Sequence, residues 1–137
     1  MFTSEKNKKT VLRTLIIYAS LTIVTAIFGG IYEFFSHNVY SANMVFAWAF
    51  VLFGVIPYLL FFLLPIKRVP SMLTACIYNF GVAMLTVRSI FIGVIDIYGT
   101  TNAPMLTIYT ILSVVFLTLG ALLYFFGLFF FKEKEIE

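Results

Sequence analysis

The chain has 137 residues, 62% of them hydrophobic and 11% charged, with a formal net charge of +3. Soluble domains carry about 25% charged residues and about 45–50% apolar ones, and a chain this short has too little interior to hide the surplus from water, so the excess Phe, Leu and Ile is expected to face lipid. A lone cysteine, Cys76, excludes an intrachain disulfide and paired-thiolate metal sites, a lone histidine, His37, excludes a bis-histidine haem within one chain, and basic residues confined to segment ends speak against nucleic acid.

A helix needs about 20 mostly apolar residues to cross a hydrocarbon core of roughly 30 Å, and lipid tolerates no unpaired backbone. The first such segment is 11–35, which carries no charge between Arg13 and Glu33. A secretory signal is the competing reading, because Val39, Tyr40 and Ser41 before Ala42 loosely suit cleavage. Its apolar stretch exceeds the usual 7–15 or so residues of a signal core, and Glu33 intervenes, so a permanent span is expected. Ala26 and Gly30 form a small-xxx-small pair, the signature of a close helix contact. A short polar loop, 36–43, follows.

The second span is expected at 44–64, where Pro57 and Gly54, a turn earlier, should bend it. Pro65 and Pro70 then bracket Lys67 and Arg68 in a tight loop. The third span, 71–95, contains Asn79 mid-helix, read as an interhelical hydrogen bond, and Arg88. The loop 98–104 supplies a flexible Gly99, Asn102 as an N-cap and Pro104 for the first turn of the next helix. The fourth span, 105–131, holds no charge, and its Gly120 and Gly127 also suggest close contacts. Tyr40 and Asn43 of the first loop, with Met44 opening the next helix, echo Tyr98 and Asn102 of the third loop, with Met105 opening the helix after it. A duplicated hairpin would leave that echo, and so would ordinary loop and capping chemistry.

The expectation is an all-α single domain, an integral membrane bundle of four transmembrane helices joined by short loops, which force neighbours antiparallel. Eight of the nine Lys and Arg residues flank the segments on one side, and the loops 36–43 and 98–104 contain none. By the positive-inside rule both termini are cytoplasmic. The richness in Ile, Phe, Lys, Tyr and Asn is that of a low-GC bacterial chain, which makes the plasma membrane the expected location.

Four polar side chains fall at one depth. At 1.5 Å per residue, Glu33 lies about 30 Å beyond Arg13, at the outer boundary. Arg88 lies about 25 Å into the third helix, and Asp96 two turns further, about 12 Å on. His37, four residues past Glu33, would share its helix face. Glu33, His37, Arg88 and Asp96 are therefore the candidate binding or ion-pair residues, with Tyr40, Asn43, Tyr98 and Asn102 in the outer loops beside them. Arg88 either snorkels and pairs with Glu33 to join two helices, or receives an anionic group. Glu33, His37 and Asp96 make an incomplete ligand set, so no metal is assigned and no cofactor is implied.

Three functions are weighed. An interaction subunit or regulator that packs against other membrane proteins fits the want of a catalytic set. An oligomeric transporter or channel would use Glu33, Arg88 and Asp96 at an external vestibule, yet the cytoplasmic halves offer no charged path. An enzyme acting at the outer face lacks a nucleophile–base pair or a phosphate loop. The first is expected, with the lipid bilayer and a membrane-protein partner or a homo-oligomer as its surroundings.

Overall fold

The structure, a computed structural model, describes residues 2–63, 71–100 and 103–130. The described residues form six helices in chain order: α1 Phe2–Phe34, α2 Ala42–Val45, α3 Ala47–Leu52, α4 Val55–Leu63, α5 Met72–Tyr98 and α6 Ala103–Phe130. Among the described residues, three stretches are long and apolar enough to cross a membrane: Lys9–Phe34, Met72–Tyr98 and Pro104–Gly127. Most of their large apolar side chains, such as Ile16, Ile23 and Val24 of α1 and Ile108, Leu122 and Phe125 of α6, are exposed. In water that surface would be untenable, whereas lipid solvates it.

The expected second span is where the structure departs from four long helices. Residues 44–64 are divided among α2, α3 and α4, with breaks at Phe46 and at Phe53–Gly54. The second break falls where Gly54 and Pro57 foretell it. Proline has no N–H, so the Phe53 carbonyl four residues earlier loses its helical donor. Tyr78 on α5 supplies one instead, its hydroxyl donating to the Phe53 carbonyl at 2.8 Å. At the first break, the Ser89 hydroxyl of α5 donates to the Asn43 carbonyl at 2.8 Å. Tyr78 and Ser89 are eleven residues apart, about three turns, and so share one face of α5. That face holds the discontinuous segment in place.

The other helices end by local chemistry. After Phe34 the Ser36 amide and hydroxyl both donate to the Glu33 carbonyl, at 3.1 and 2.7 Å. His37 and Asn38 then take positive φ, 55° and 67°, and Val39 N–H bonds back to the Ser36 carbonyl at 3.2 Å, the pattern of a type I′ turn. Ser71 caps α5, its hydroxyl accepting from Thr74 N–H. Gly99, at φ 68°, closes α5 while Thr100 N–H reaches back to the Ile95 carbonyl, a Schellman-type ending that a side chain at that position would strain. Pro104 sits in the first turn of α6 as expected. The proposed cap Asn102 and the loop containing Pro65, Lys67, Arg68 and Pro70 lie outside the described residues.

Packing follows chain order: α1 lies against α2, α3 and α4, the segment α2–α3 lies against α5, and α5 packs along α6. Two glycine pairs allow the closest approaches. A Cβ on Gly81 would sit 2.6 Å from Leu117 N, and one on Gly120 would sit 2.7 Å from Tyr78 Cα, so α5 and α6 meet backbone to backbone. Met44, fully buried, is held between Gly29 of α1 and Gly93 of α5, where added Cβ atoms would lie 2.7 Å from its carbonyl oxygen and 2.6 Å from its Cβ. Gly30 and Gly127, by contrast, face open space. The α1 contact is thus made by Gly29, one residue from the Ala26/Gly30 pair that the spacing suggested, a rotation of about 100° on the helix.

Candidate functional site

Two polar regions occupy the two ends of the packed segment. Near the ends of α1 and α5, Glu33 and Asp96 come from different helices and are joined through Ser41, which precedes α2. Glu33 Oε1 accepts from Ser41 N–H at 3.0 Å, and the Ser41 hydroxyl donates to Asp96 Oδ2 at 2.8 Å. Asn43 Nδ2 donates to the same carboxylate oxygen at a longer 3.4 Å. Ser41 is buried, Glu33 and Asn43 are half-buried, and Asp96 is exposed. Ser41 spends its hydroxyl on Asp96 rather than on capping its own helix. The result is a hydrogen-bonded clasp that ties α1, α2 and α5 together, with both carboxylates as acceptors.

Arg88 does not join this clasp. Its Nε donates to Thr110 Oγ1 on α6, and Thr110 passes a hydrogen bond to the Leu106 carbonyl at 2.7 Å. Arg88 is ten residues, about 15 Å, back along α5 from Tyr98, and it points to α6 whereas Glu33 points to α2. Among the described residues no carboxylate pairs with it. His37 also stands apart: α1 ends at Phe34, so the helical i, i+4 relation to Glu33 does not exist, and His37 is exposed in the turn. Among the described residues no group of three His, Cys, Asp or Glu side chains gathers as a metal site would require. Tyr40 and Tyr98 are exposed, and Asn102 is outside the described residues.

A groove of about 560 Å³ opens beside the clasp, between the end of α1 and the end of α5. Phe28, Tyr32 and Phe35 line it from α1 and the chain just past it, His37 from the turn, and Tyr98 from α5. The Phe28 and Tyr32 rings lie 6.0 Å apart, and the Tyr32 and Tyr98 hydroxyls come within hydrogen-bonding reach of each other.

The second polar region is a buried group of tyrosines. Tyr18 of α1, Tyr58 of α4, Tyr78 of α5 and Tyr124 of α6 are each 7–8% exposed. Tyr18 and Tyr58 rings are 6.1 Å apart, and Tyr78 and Tyr124 meet edge to face at 5.4 Å. The Tyr18 hydroxyl donates to Asn79 Oδ1 at 2.6 Å, which is the interhelical bond expected of Asn79. The Tyr18 ring occupies the space over Gly54, where an added Cβ would fall 2.0 Å from it. Sequence reading passed over Ser41, Ser89, Thr110 and these tyrosines, because single hydroxyls in apolar runs carry no spacing signal. Pro57 was the available clue, since a proline inside a helix implies a donor elsewhere for the freed carbonyl. Compared with known protein families, curated proteins and solved structures, the chain matches none.

Proposed function

We propose that the chain is a polytopic plasma-membrane protein that crosses the bilayer four times with both termini cytoplasmic, and that it works as an interaction subunit packing against other membrane proteins. The discontinuous segment α2–α4 makes the second crossing, its broken backbone satisfied by α5 rather than by water or lipid. The observation that carries the functional reading is where the polar groups go. Glu33, Asp96, Arg88, Asn79, Tyr18 and Tyr78 all make hydrogen bonds within the chain, each between helices or from a helix to the α2 start or the α3–α4 break. What remains outward is apolar surface on α1 and α6, each of which packs against the body along one side. A subunit needs such a surface, whereas a conduit needs polar groups held in reserve along a path.

Extraction in mild detergent followed by intact-particle mass tests this directly. Stoichiometric foreign chains are expected. A homo-oligomer without partners would remove the reading. Topology is checked separately, with Cys76→Ser as background and single cysteines at Asn38, Thr100 and Lys67. The first two should react with an impermeant maleimide on intact cells, and Lys67→Cys only after permeabilisation. A small-solute transporter is the second reading, and the broken second segment favours it, because discontinuous helices line transporter sites.

A further inference from the structure

We propose that the groove between the ends of α1 and α5 is a binding site for an organic cation, a quaternary ammonium solute held over aromatic rings. The site does not depend on the partner reading above. Its volume, about 560 Å³, lies within the roughly 300–1,000 Å³ of small-molecule sites. Four rings line it, Phe28, Tyr32, Phe35 and Tyr98, and a cation over such faces gains from the ring quadrupole what a neutral body does not.

The electrostatics of this end agree in sign. Two helices, α1 and α5, terminate at the groove, and neither has a basic residue in its last turn. Their C-terminal carbonyls present the negative ends of two helix dipoles, each equivalent to about half a charge. Glu33 and Asp96 belong to the same two final turns. The loops 36–43 and 98–104 contain no Lys or Arg to offset them. An anion would meet no Lys or Arg there, because Arg88 lies about 15 Å back along α5 and is bonded to Thr110. The clasp through Ser41 and the contact between the Tyr32 and Tyr98 hydroxyls join the two helix ends, so the aromatic lining is in place before a ligand arrives.

The test uses the full chain in nanodiscs and equilibrium dialysis with two probes, choline and its neutral carbon isostere 3,3-dimethylbutanol, against empty nanodiscs. Saturable choline binding to the loaded discs alone is expected, with the isostere at least about tenfold weaker. Tyr32→Leu and Tyr98→Leu should each weaken choline about 2- to 30-fold, the span of one cation–π contact from exposed to desolvated. Tyr32→Phe and Tyr98→Phe keep the rings and should keep the affinity, which separates ring loss from misfolding. Equal binding of the isostere, choline uptake matching that of empty discs, or full affinity in both leucine variants would overturn the proposal.

Discussion

Tyr78→Phe isolates a single hydroxyl whose task the sequence itself creates. Pro57 denies the Phe53 carbonyl its helical donor, and Tyr78 provides the substitute at 2.8 Å. The phenylalanine ring preserves the edge contact with Tyr124 and the close approach to Gly120, so only the hydrogen bond is lost. Interhelical hydrogen bonds in membranes average about 0.6 kcal/mol, with a maximum near 1.7. A fully buried carbonyl left without any donor costs about 1–3 kcal/mol; this one is part-buried, so the loss should fall at about 1–2 kcal/mol, the upper part of the membrane range. The decisive step is to repeat the change in a Pro57→Ala background, where residue 57 regains an N–H aimed at Phe53. There Tyr78→Phe should cost about 1 kcal/mol less, and the two changes should couple. The assay is reversible unfolding of the four proteins in mixed micelles, followed by circular dichroism. Additivity within about 0.3–0.5 kcal/mol, the ordinary tolerance for independent sites, would refute the claim that proline and tyrosine answer one another.

Three further outcomes are expected. Glu33→Gln and Arg88→Gln should be additive in stability, because Glu33 bonds to Ser41 and Arg88 to Thr110 with no shared partner; a compensating double variant would show that they pair after all. Asp96→Ala strands the buried Ser41 hydroxyl and should cost about 1–3 kcal/mol, whereas Asp96→Asn retains an acceptor and should cost clearly less by the same unfolding measurement. Gly93→Ala should destabilise by about 1–3 kcal/mol through overpacking, and Met44→Ala should not relieve it, because the added methyl meets Met44 Cα and N, both at 2.9 Å, as well as the side chain. Rescue of Gly93→Ala by Met44→Ala would mean that the helices are spaced by the side chain and not by the backbone.

Hydropathy and turn chemistry alone determined much of this protein. The apolar excess, the three long helices and their ends near 35, 71 and 98–104 follow from which groups lipid accepts and from where Ser, Gly and Pro interrupt a helix. Pro57 and Gly54 announced a bend where the structure has a break, and Asn79 announced a bond to another helix. These are one-dimensional properties, summed along the chain or set by neighbours a turn away. Which side chains meet is different, since it depends on the rotation of each helix about its axis, and one residue turns a face by about 100°. Only the tertiary structure decided that Gly29 and not Gly30 receives Met44, that Arg88 turns to Thr110 and away from Glu33, and that Ser41 links two carboxylates 63 residues apart in sequence. His37 shows the remaining reason. Its expected place beside Glu33 assumed a helix one turn longer, and a left-handed pair at 37 and 38, set by the Ser36 bonds to Glu33, ended that helix first.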